Sequence, residues 1–188
     1  MKILAISGSL RKASLNTTML RAVARIAPSE IEVVLYSGLG SLPLFNPDLE
    51  ETEIAPVMAL REKIIDSDAL LFASPEYAHG VTSAIKNALD WMVGNESFVH
   101  KPVALLNASP RATHAQASLR ETILTMSACM VDEASITIPI LGSGLSEDQI
   151  VQHAEIKPAL FAALLSLQSA VFAMSKQRDS ACTLSGMA

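Results

Sequence analysis

Residues 7–17 combine a turn into a predicted helix with side chains that can bind an anion. A helix N-terminus offers unpaired backbone N–H groups and a partial positive charge, so phosphate groups bind there readily. Ser14 or Asn16 would also be an ordinary N-cap, but capping explains neither a second serine nor an arginine in the same loop. The loop therefore predicts a phosphate site whose candidate side chains are Ser9, Arg11, Ser14, Asn16 and Thr17.

The loop lacks the glycine patterns of the two commonest phosphate sites. The GxxxxGK[ST] pattern of nucleoside triphosphatases is absent. The GxGxxG pattern of dinucleotide-binding domains is absent too, because Gly8 is the only glycine between residues 7 and 17. A mononucleotide whose phosphate is held by hydroxyl groups fits the loop better.

The elements that must position this loop follow from the alternation of short apolar runs and amphipathic stretches. Strands are predicted at residues 2–7, 31–36, 69–74, 103–108 and 135–140. Helices are predicted at residues 17–26, 55–65, 82–93, 116–129 and 146–174, with the last kinked or divided at Pro158. This order indicates an α/β fold, a doubly wound five-stranded parallel sheet with helices on both faces, in one domain of residues 1–188.

Ligands of such a sheet bind outside the carboxyl ends of its strands, where the strand order reverses. Chemistry is therefore expected in the loops after the first, third and fourth strands, at residues 7–16, 75–80 and 109–114. The third-strand loop contains Tyr77, and the fourth-strand loop contains Ser109 and Arg111. Spacings of three and four residues place Asn87 and Trp91 on one helix face with Asp90, and we interpret that face as structural.

Composition excludes several classes of protein. The chain has 188 residues, of which 50% are hydrophobic and 18% charged, and a net charge of −5, so it is folded and is not expected to bind nucleic acid. No GxSxG motif is present, and the four histidines lack metal-ligand spacing with each other or with the two cysteines, so no metal is expected. The cysteines, Cys129 and Cys182, form no CxxC pair, which fits a reducing cytoplasm.

The longest apolar stretch, residues 158–174, is interrupted by polar residues, so we expect a buried C-terminal helix and no membrane association. Four apolar residues after Lys2 are too few for a signal-peptide core, so no targeting segment is predicted.

Three motifs in this order resemble the NAD(P)H-dependent FMN reductase family, which includes quinone, chromate and azo-dye reductases. They are residues 7–16, the Ser-Pro-Glu-Tyr at 74–77 and the Lys-Asn-Ala-Leu-Asp-Trp at 86–91. The resemblance extends over roughly residues 2–108. It implies a flavodoxin-like fold with strand order 2-1-3-4-5, FMN as cofactor and NADPH or NADH as electron donor.

In that family the loop after the third strand lies beside the flavin ring. The resemblance therefore implies flavin contacts for Pro75, Glu76, Tyr77 and Gly80, and we add Ser109 from the loop after the fourth strand to the cofactor site. The chain departs from the common family pattern, because Ala78 replaces an asparagine and Gly80 a serine. Some side-chain contacts with the flavin are consequently open.

Two further residues are candidate contacts with substrate or nicotinamide. His79 is an addition to the family pattern, and Arg111 follows the Ser-Pro pair where many relatives have a glycine-rich stretch. Arg111 could pair with a nicotinamide phosphate or the flavin, and it could equally be a solvated loop charge. The preference between NADPH and NADH is not readable from these residues.

The resemblance implies an oxidoreductase that moves hydride from a nicotinamide cofactor to FMN and then to a quinone-like or other small acceptor. The flavin carries the chemistry, so no catalytic side chain is expected. Relatives imply a homodimer or homotetramer. Three alternatives remain open: a flavodoxin-like electron carrier, an FMN reductase that supplies reduced flavin to a monooxygenase, and a mononucleotide-binding module without redox function.

Overall fold

A computed structural model describes the backbone of residues 1–185 and the side chains of residues 1–177. The strands of the described part are β1 (Lys2–Ser7), β2 (Glu32–Leu35), β3 (Ala69–Ala73), β4 (Pro102–Asn107), β5 (Cys129–Met130) and β6 (Ile136–Thr137). The α-helices are α1 (Leu15–Ile26), α2 (Ala55–Ile65), α3 (Ser83–Asp90), α4 (Thr113–Thr125), α5 (Glu147–Gln152) and α6 (Ile156–Ser185).

The strands form one parallel sheet in the order β2-β1-β3-β4-β5, which confirms the predicted flavodoxin-like arrangement. Ser7 is in register with Ala73, so the carboxyl ends of β1 and β3 lie side by side. β4 ends beside them, with Leu106 in register with Ala73. The loops that leave these three strands consequently emerge at one edge of the sheet.

The fifth strand position departs from the prediction. Of residues 135–140, Ile136 and Thr137 are in register with β4 and the Ile138 N–H donates to the Asn107 carbonyl at 2.8 Å, while a second short piece, Cys129–Met130, pairs with the start of β4. We had placed Cys129 at the end of a helix, and this was wrong. The reason is the left-handed Ser127 (φ 61°), which ends α4 and turns the chain back toward the sheet. Ser135 Oγ then accepts a hydrogen bond from the Leu105 N–H at 3.1 Å, where a continuous strand would offer a backbone carbonyl.

Successive side chains of a central strand point to opposite faces of the sheet, so the core has two parts, one on each face. Ile3 and Ala5 of β1 are packed among residues of α1, α5 and α6, whereas Leu4 and Ile6 are packed among residues of α2, α3 and α4. All five residues of β3 and all six of β4 are buried. Such continuous burial is expected of parallel strands covered by helices on both sides.

The predicted helix at 146–174 is divided, as expected, but the division precedes Pro158. α5 begins with a capping box between Ser146 and Gln149 and ends at Gln152. His153 Nδ1 then accepts hydrogen bonds from the N–H groups of Glu155 and Ile156 at the start of α6. Pro158 lies in the first turn of α6, where its missing N–H breaks no helical hydrogen bond.

α6 is buried along one face only. Leu160, Leu164 and Leu167 are buried against the sheet, whereas Leu165 and Phe172 are exposed. By length and composition, Ile156–Gln177 is one helix in the described part that could cross a membrane, and 22% of its most apolar window is buried. The core helix of a soluble protein meets the same criterion. Cys129 is a half-buried free thiol, and the Cys182 side chain lies outside the described residues.

The face of α3 that we interpreted as structural holds the long loop between β2 and α2. The side chains of Asn87 and Trp91 both donate hydrogen bonds to the Pro43 carbonyl, at 2.9 and 2.8 Å. The Phe45 ring packs edge-on against Trp91 with ring centroids 5.1 Å apart. Asp90, on the same helix, pairs with Lys86.

Candidate functional site

A cavity of about 780 Å³ opens at the edge of the sheet where β1, β3 and β4 end. Its volume lies within the range of small-molecule sites, roughly 300–1,000 Å³. Residues of all three predicted loops line it, so the loops that follow these strands share one cavity. The predicted site residues among those lining it are Ser9, Arg11, Ser14, Asn16, Pro75, Glu76, Tyr77, Ser109 and Arg111.

The loops after β1 and β3, which both line the cavity, are joined at Gly8. The Gly8 N–H donates to the Ala73 carbonyl at 2.9 Å, and the Thr82 hydroxyl donates to the Gly8 carbonyl at 2.6 Å. A Cβ atom on Gly8 would lie 2.2 Å from Ser74 Oγ and 2.7 Å from Ser74 Cβ. The two loops therefore lie so close together that a side chain at position 8 would clash with Ser74.

The N-terminus of α1 forms one wall of the cavity. Ser14 is the N-cap, and its Oγ accepts a hydrogen bond from the Thr17 N–H at 3.3 Å. The first turn contains no acidic residue, so no side chain of that turn neutralises the positive helix end. Asn16 is 7% exposed and lines the cavity, and its Oδ1 has no hydrogen-bond partner among the described residues. Ser14 is therefore both the N-cap of α1 and a residue that lines the cavity.

An unpaired buried amide is costly unless a ligand or water pairs with it. The oxygen and nitrogen of an asparagine amide are interchangeable in assignment, so the unpaired atom of the buried Asn16 amide is either an acceptor or a donor. Arg11 is exposed on the same wall. Thr17 is not among the lining residues, and its hydroxyl lies 2.7 Å from Ser7 Oγ.

The loop after β3 forms the opposite wall and contains a tight turn. Tyr77 and Gly80 exchange two backbone hydrogen bonds of 3.1 and 2.9 Å, and the turn residues Ala78 and His79 both have positive φ, 49° and 59°. Gly80 and His79 are consequently on the turn and are not among the residues lining the cavity. Tyr77 lines it with its side chain at the rim, 60% exposed.

Glu76 connects this loop to α4. Its Oε2 accepts a hydrogen bond from the Ala115 N–H at 2.8 Å, and its Oε1 lies 3.2 Å from His79 Nδ1. The Ala115 hydrogen bond is the main cause that holds the pKa of Glu76 below its ordinary value, and His79 and His114 contribute in the same direction. Glu76 is therefore ionised at neutral pH.

The loop after β4 is organised by two side chains that bond to its own backbone. Asn107 Oδ1 accepts a hydrogen bond from the Ser109 N–H at 3.0 Å, and Ser109 Oγ accepts one from the Arg111 N–H at 3.2 Å. Asn107 and Ser109 are buried, while Arg111 is exposed. The hydrogen bonds of Asn107 and Ser109 thus hold the loop that places the Arg111 guanidinium at the rim of the cavity.

The sequence interpretation missed one wall of the cavity. Leu141, Gly142, Gly144 and Leu145 line it from the loop after β6. Gly142 and Gly144 have φ values of 82° and 67°, which glycine adopts without strain. A Gly-Ser-Gly stretch after the last apolar run was the available signal, and the strand-end argument applied to the fifth strand would have found it.

Comparison with known proteins gives a family match over most of the chain. The family model for NADPH-dependent FMN reductase matches residues 1–140. A probable NADPH:quinone oxidoreductase of Oryza sativa subsp. japonica is 31% identical over 186 residues, which cover 94% of each chain. An NADPH:quinone oxidoreductase of Arabidopsis thaliana is 40% identical over 111 residues, which cover 56% of this chain and 57% of that relative.

Among solved structures, the fold is similar to FerB, a flavoenzyme NAD(P)H:(acceptor) oxidoreductase from Paracoccus denitrificans. The TM-score is 0.68 and the sequence identity 30%, and the match covers 93% of this chain and 97% of FerB.

Proposed function

Because the chain belongs to the NADPH-dependent FMN reductase family, we propose that its cavity binds FMN and uses NADPH or NADH to reduce a quinone-type acceptor. The chain is an oxidoreductase of a family whose cofactors are FMN and a nicotinamide nucleotide. The acceptor, the site residues and the assembly are proposals.

The observation that carries the proposal is the positive end of α1, which has no acidic residue in its first turn and forms one wall of a cavity of about 780 Å³. A phosphate needs several donors from one direction, and this helix end provides backbone N–H groups with no competing carboxylate in the turn. Ser14 adds a hydroxyl that still has a proton to donate after accepting from Thr17. The residues present therefore fit the phosphate of FMN.

When bound, FMN would supply the redox chemistry by accepting hydride from the nicotinamide and passing electrons to the second substrate. The chain's own contribution is binding and orientation. Ser9, Arg11, Ser14 and Asn16 hold the phosphate end, and the loop with Pro75, Glu76 and Tyr77 flanks the ring end. Ser109 and Arg111 form the third side of the cavity, where the Arg111 guanidinium is suited to a phosphate of the nicotinamide cofactor.

We propose further that residues 1–188 are one flavodoxin-like domain, that the protein is cytoplasmic and that it assembles as a homodimer or homotetramer. The fold is that of soluble flavodoxin-like domains. The small acceptor is reached through the open rim between Tyr77 and Arg111. His79 stands on the turn beside this rim and contacts the bound substrates only if they extend past Tyr77.

The first experiment mixes the purified protein with FMN under anaerobic conditions, adds NADPH or NADH, and follows the flavin absorbance against a protein-free control. Rapid bleaching is expected and ranks the two donors. Flavin that binds but is not bleached would identify an electron carrier or a binding module instead. Gel filtration of the bleaching enzyme then separates a reductase that retains its flavin from one that releases reduced flavin to a partner.

The phosphate site is tested with Arg11→Ala. Loss of one charge-assisted hydrogen bond should raise the dissociation constant of FMN about tenfold, equivalent to about 1.4 kcal/mol, as measured by quenching of flavin fluorescence. Lys12→Ala is the matched control, because Lys12 is an adjacent exposed cation that does not line the cavity. Equal FMN affinity of the two variants would contradict the assignment of Arg11.

A further inference from the structure

The N-terminus of α4 is capped by a residue from a distant part of the chain. Its own N-cap, Ala112, provides no side-chain hydrogen bond, and its first turn contains no acidic residue. Glu76, 39 positions earlier, fills this role, because its Oε2 accepts from the Ala115 N–H at 2.8 Å. A carboxylate at this position satisfies one of the unpaired N–H groups of the helix and complements its dipole.

The second carboxylate oxygen of Glu76 holds the turn of its own loop. Oε1 lies 3.2 Å from His79 Nδ1, and the His79 ring packs edge-on against His114 with centroids 4.5 Å apart. His114 is the residue that precedes Ala115 in α4. The contacts therefore form a closed ring that joins the loop at residues 74–80 to α4 twice, once through Glu76 and once through the imidazole pair.

The turn that this ring secures is strained. Ala78 and His79 occupy the left-handed region consecutively, where a Cβ atom approaches the neighbouring carbonyl oxygen and the backbone is disfavoured. Strained turns persist only where surrounding contacts determine them. The Glu76 side chain is 12% exposed and makes the two contacts that tie this turn to the helix, so it is the residue whose loss would free the turn.

We propose that Glu76 is a positioning residue that locks residues 74–80 onto the N-terminus of α4 and so sets the width of the cavity between Tyr77 and Arg111. Both of these residues line the cavity: Tyr77 lies in the loop that the lock holds, and Arg111 lies in the loop that leads into α4. The identity of the ligand rests on the proposed function, but the lock itself is a property of the chain without FMN.

The ionisable groups that face the lock are His79 on the same loop and His114 on α4. Both lower the pKa of Glu76 and so favour the ionised carboxylate. A carboxyl group whose pKa is lowered by folding contributes stability above its ordinary pKa, and this contribution is lost as the pH falls through the lowered value. The lock is therefore fully formed at neutral pH and opens only under acidic conditions.

The test compares Glu76→Ala with Glu76→Gln. The glutamine oxygen can still accept from the Ala115 N–H, whereas alanine cannot. In the protein without FMN, hydrogen exchange of the Ala115 amide, followed by NMR, should be at least tenfold faster in Glu76→Ala and within threefold of wild type in Glu76→Gln. The control is Glu121→Ala, which removes an exposed carboxylate from the same helix and should leave the exchange rate unchanged.

The consequence for the cavity is measured by FMN titration of the same variants. Glu76→Ala should raise the dissociation constant about tenfold, and Glu76→Gln should restore it to within threefold of wild type. Unchanged Ala115 exchange in Glu76→Ala would overturn the proposal, as would an unaltered FMN affinity in a variant whose exchange is faster.

If Glu76→Ala does not fold, His79→Ala replaces it. That variant keeps the Ala115 hydrogen bond, so weaker FMN binding with normal Ala115 exchange would support the second half of the lock, and unaltered FMN binding would refute it. A wild-type protein that binds no FMN but shows faster exchange in Glu76→Ala would refute the proposed cofactor and keep the lock.

Discussion

Replacement of Gly8 by alanine should separate the loops after β1 and β3, which both line the cavity. The added Cβ would lie 2.2 Å from Ser74 Oγ, 2.7 Å from Ser74 Cβ and 3.1 Å from Thr82 Oγ1. Ordinary carbon contacts lie at roughly 3.5–4.0 Å. Rotation of the Ser74 hydroxyl relieves the first clash, but the Cβ clash requires the backbone to shift by nearly an ångström.

The cost of that shift follows from the hydrogen bonds it strains. The Gly8 N–H to Ala73 bond of 2.9 Å and the Thr82 to Gly8 bond of 2.6 Å join the same two loops. Overpacking costs about 1–3 kcal/mol and the loss of one hydrogen bond about 1 kcal/mol, so Gly8→Ala should lower the free energy of unfolding by about 2–4 kcal/mol. FMN affinity should fall as well, because both displaced loops line the cavity.

Urea denaturation followed by circular dichroism measures the stability, and quenching of flavin fluorescence measures the affinity. The control is Gly94→Ala, whose Cβ would lie 3.5 Å from its nearest neighbour, Glu50 Oε1, and which should change stability by less than about 0.5 kcal/mol. Ser74→Gly removes both clashing atoms of Ser74, so the double variant should recover stability relative to Gly8→Ala. A Gly8→Ala protein as stable as the Gly94→Ala control, or no recovery in the double variant, would refute the close packing of these loops.

Two further predictions concern stability away from the cavity. Ser127→Gly should raise the free energy of unfolding by about 0.5–1 kcal/mol in urea denaturation, because Ser127 is exposed and has a φ of 61°; a destabilised variant would contradict this. The Arg120 guanidinium, chiefly through hydrogen bonds, holds the pKa of Asp132 below its ordinary value. The pair therefore stabilises the protein above the ordinary pKa of aspartate and loses this effect as the pH falls through the lowered one. Arg120→Ala should lower the free energy of unfolding by less than about 1 kcal/mol at pH 7, because Asp132 is 64% exposed, and should leave it unchanged at about pH 2. A difference in stability between the variant and wild type that persists in acid would show that the arginine acts through packing.

Much of the fold and of the site could be predicted because the signals are local. β1 and α2 begin and end at the predicted residues, because the pattern of apolar residues that predicts a strand or a helix involves only neighbouring positions of the sequence. In a parallel sheet the carboxyl ends of the strands share one edge, so knowing where β1, β3 and β4 end also predicted that three loops meet there. Ser14 was readable as an N-cap for the same reason.

Contacts between distant residues decided the rest. Thr17 has a residue type that suits a phosphate, but its hydroxyl forms a hydrogen bond with the Ser7 hydroxyl. The fifth strand is split because Ser127 ends α4 early and Ser135 substitutes a side chain for a backbone partner. Glu76 was readable as a loop position, yet its carboxylate serves a helix 39 residues away. The sequence by itself therefore determined the sheet, the edge and most of the residues of the cavity. Only the tertiary structure decided how its loops are tied together, because hydrogen bonds between distant residues leave no periodic signal along the chain.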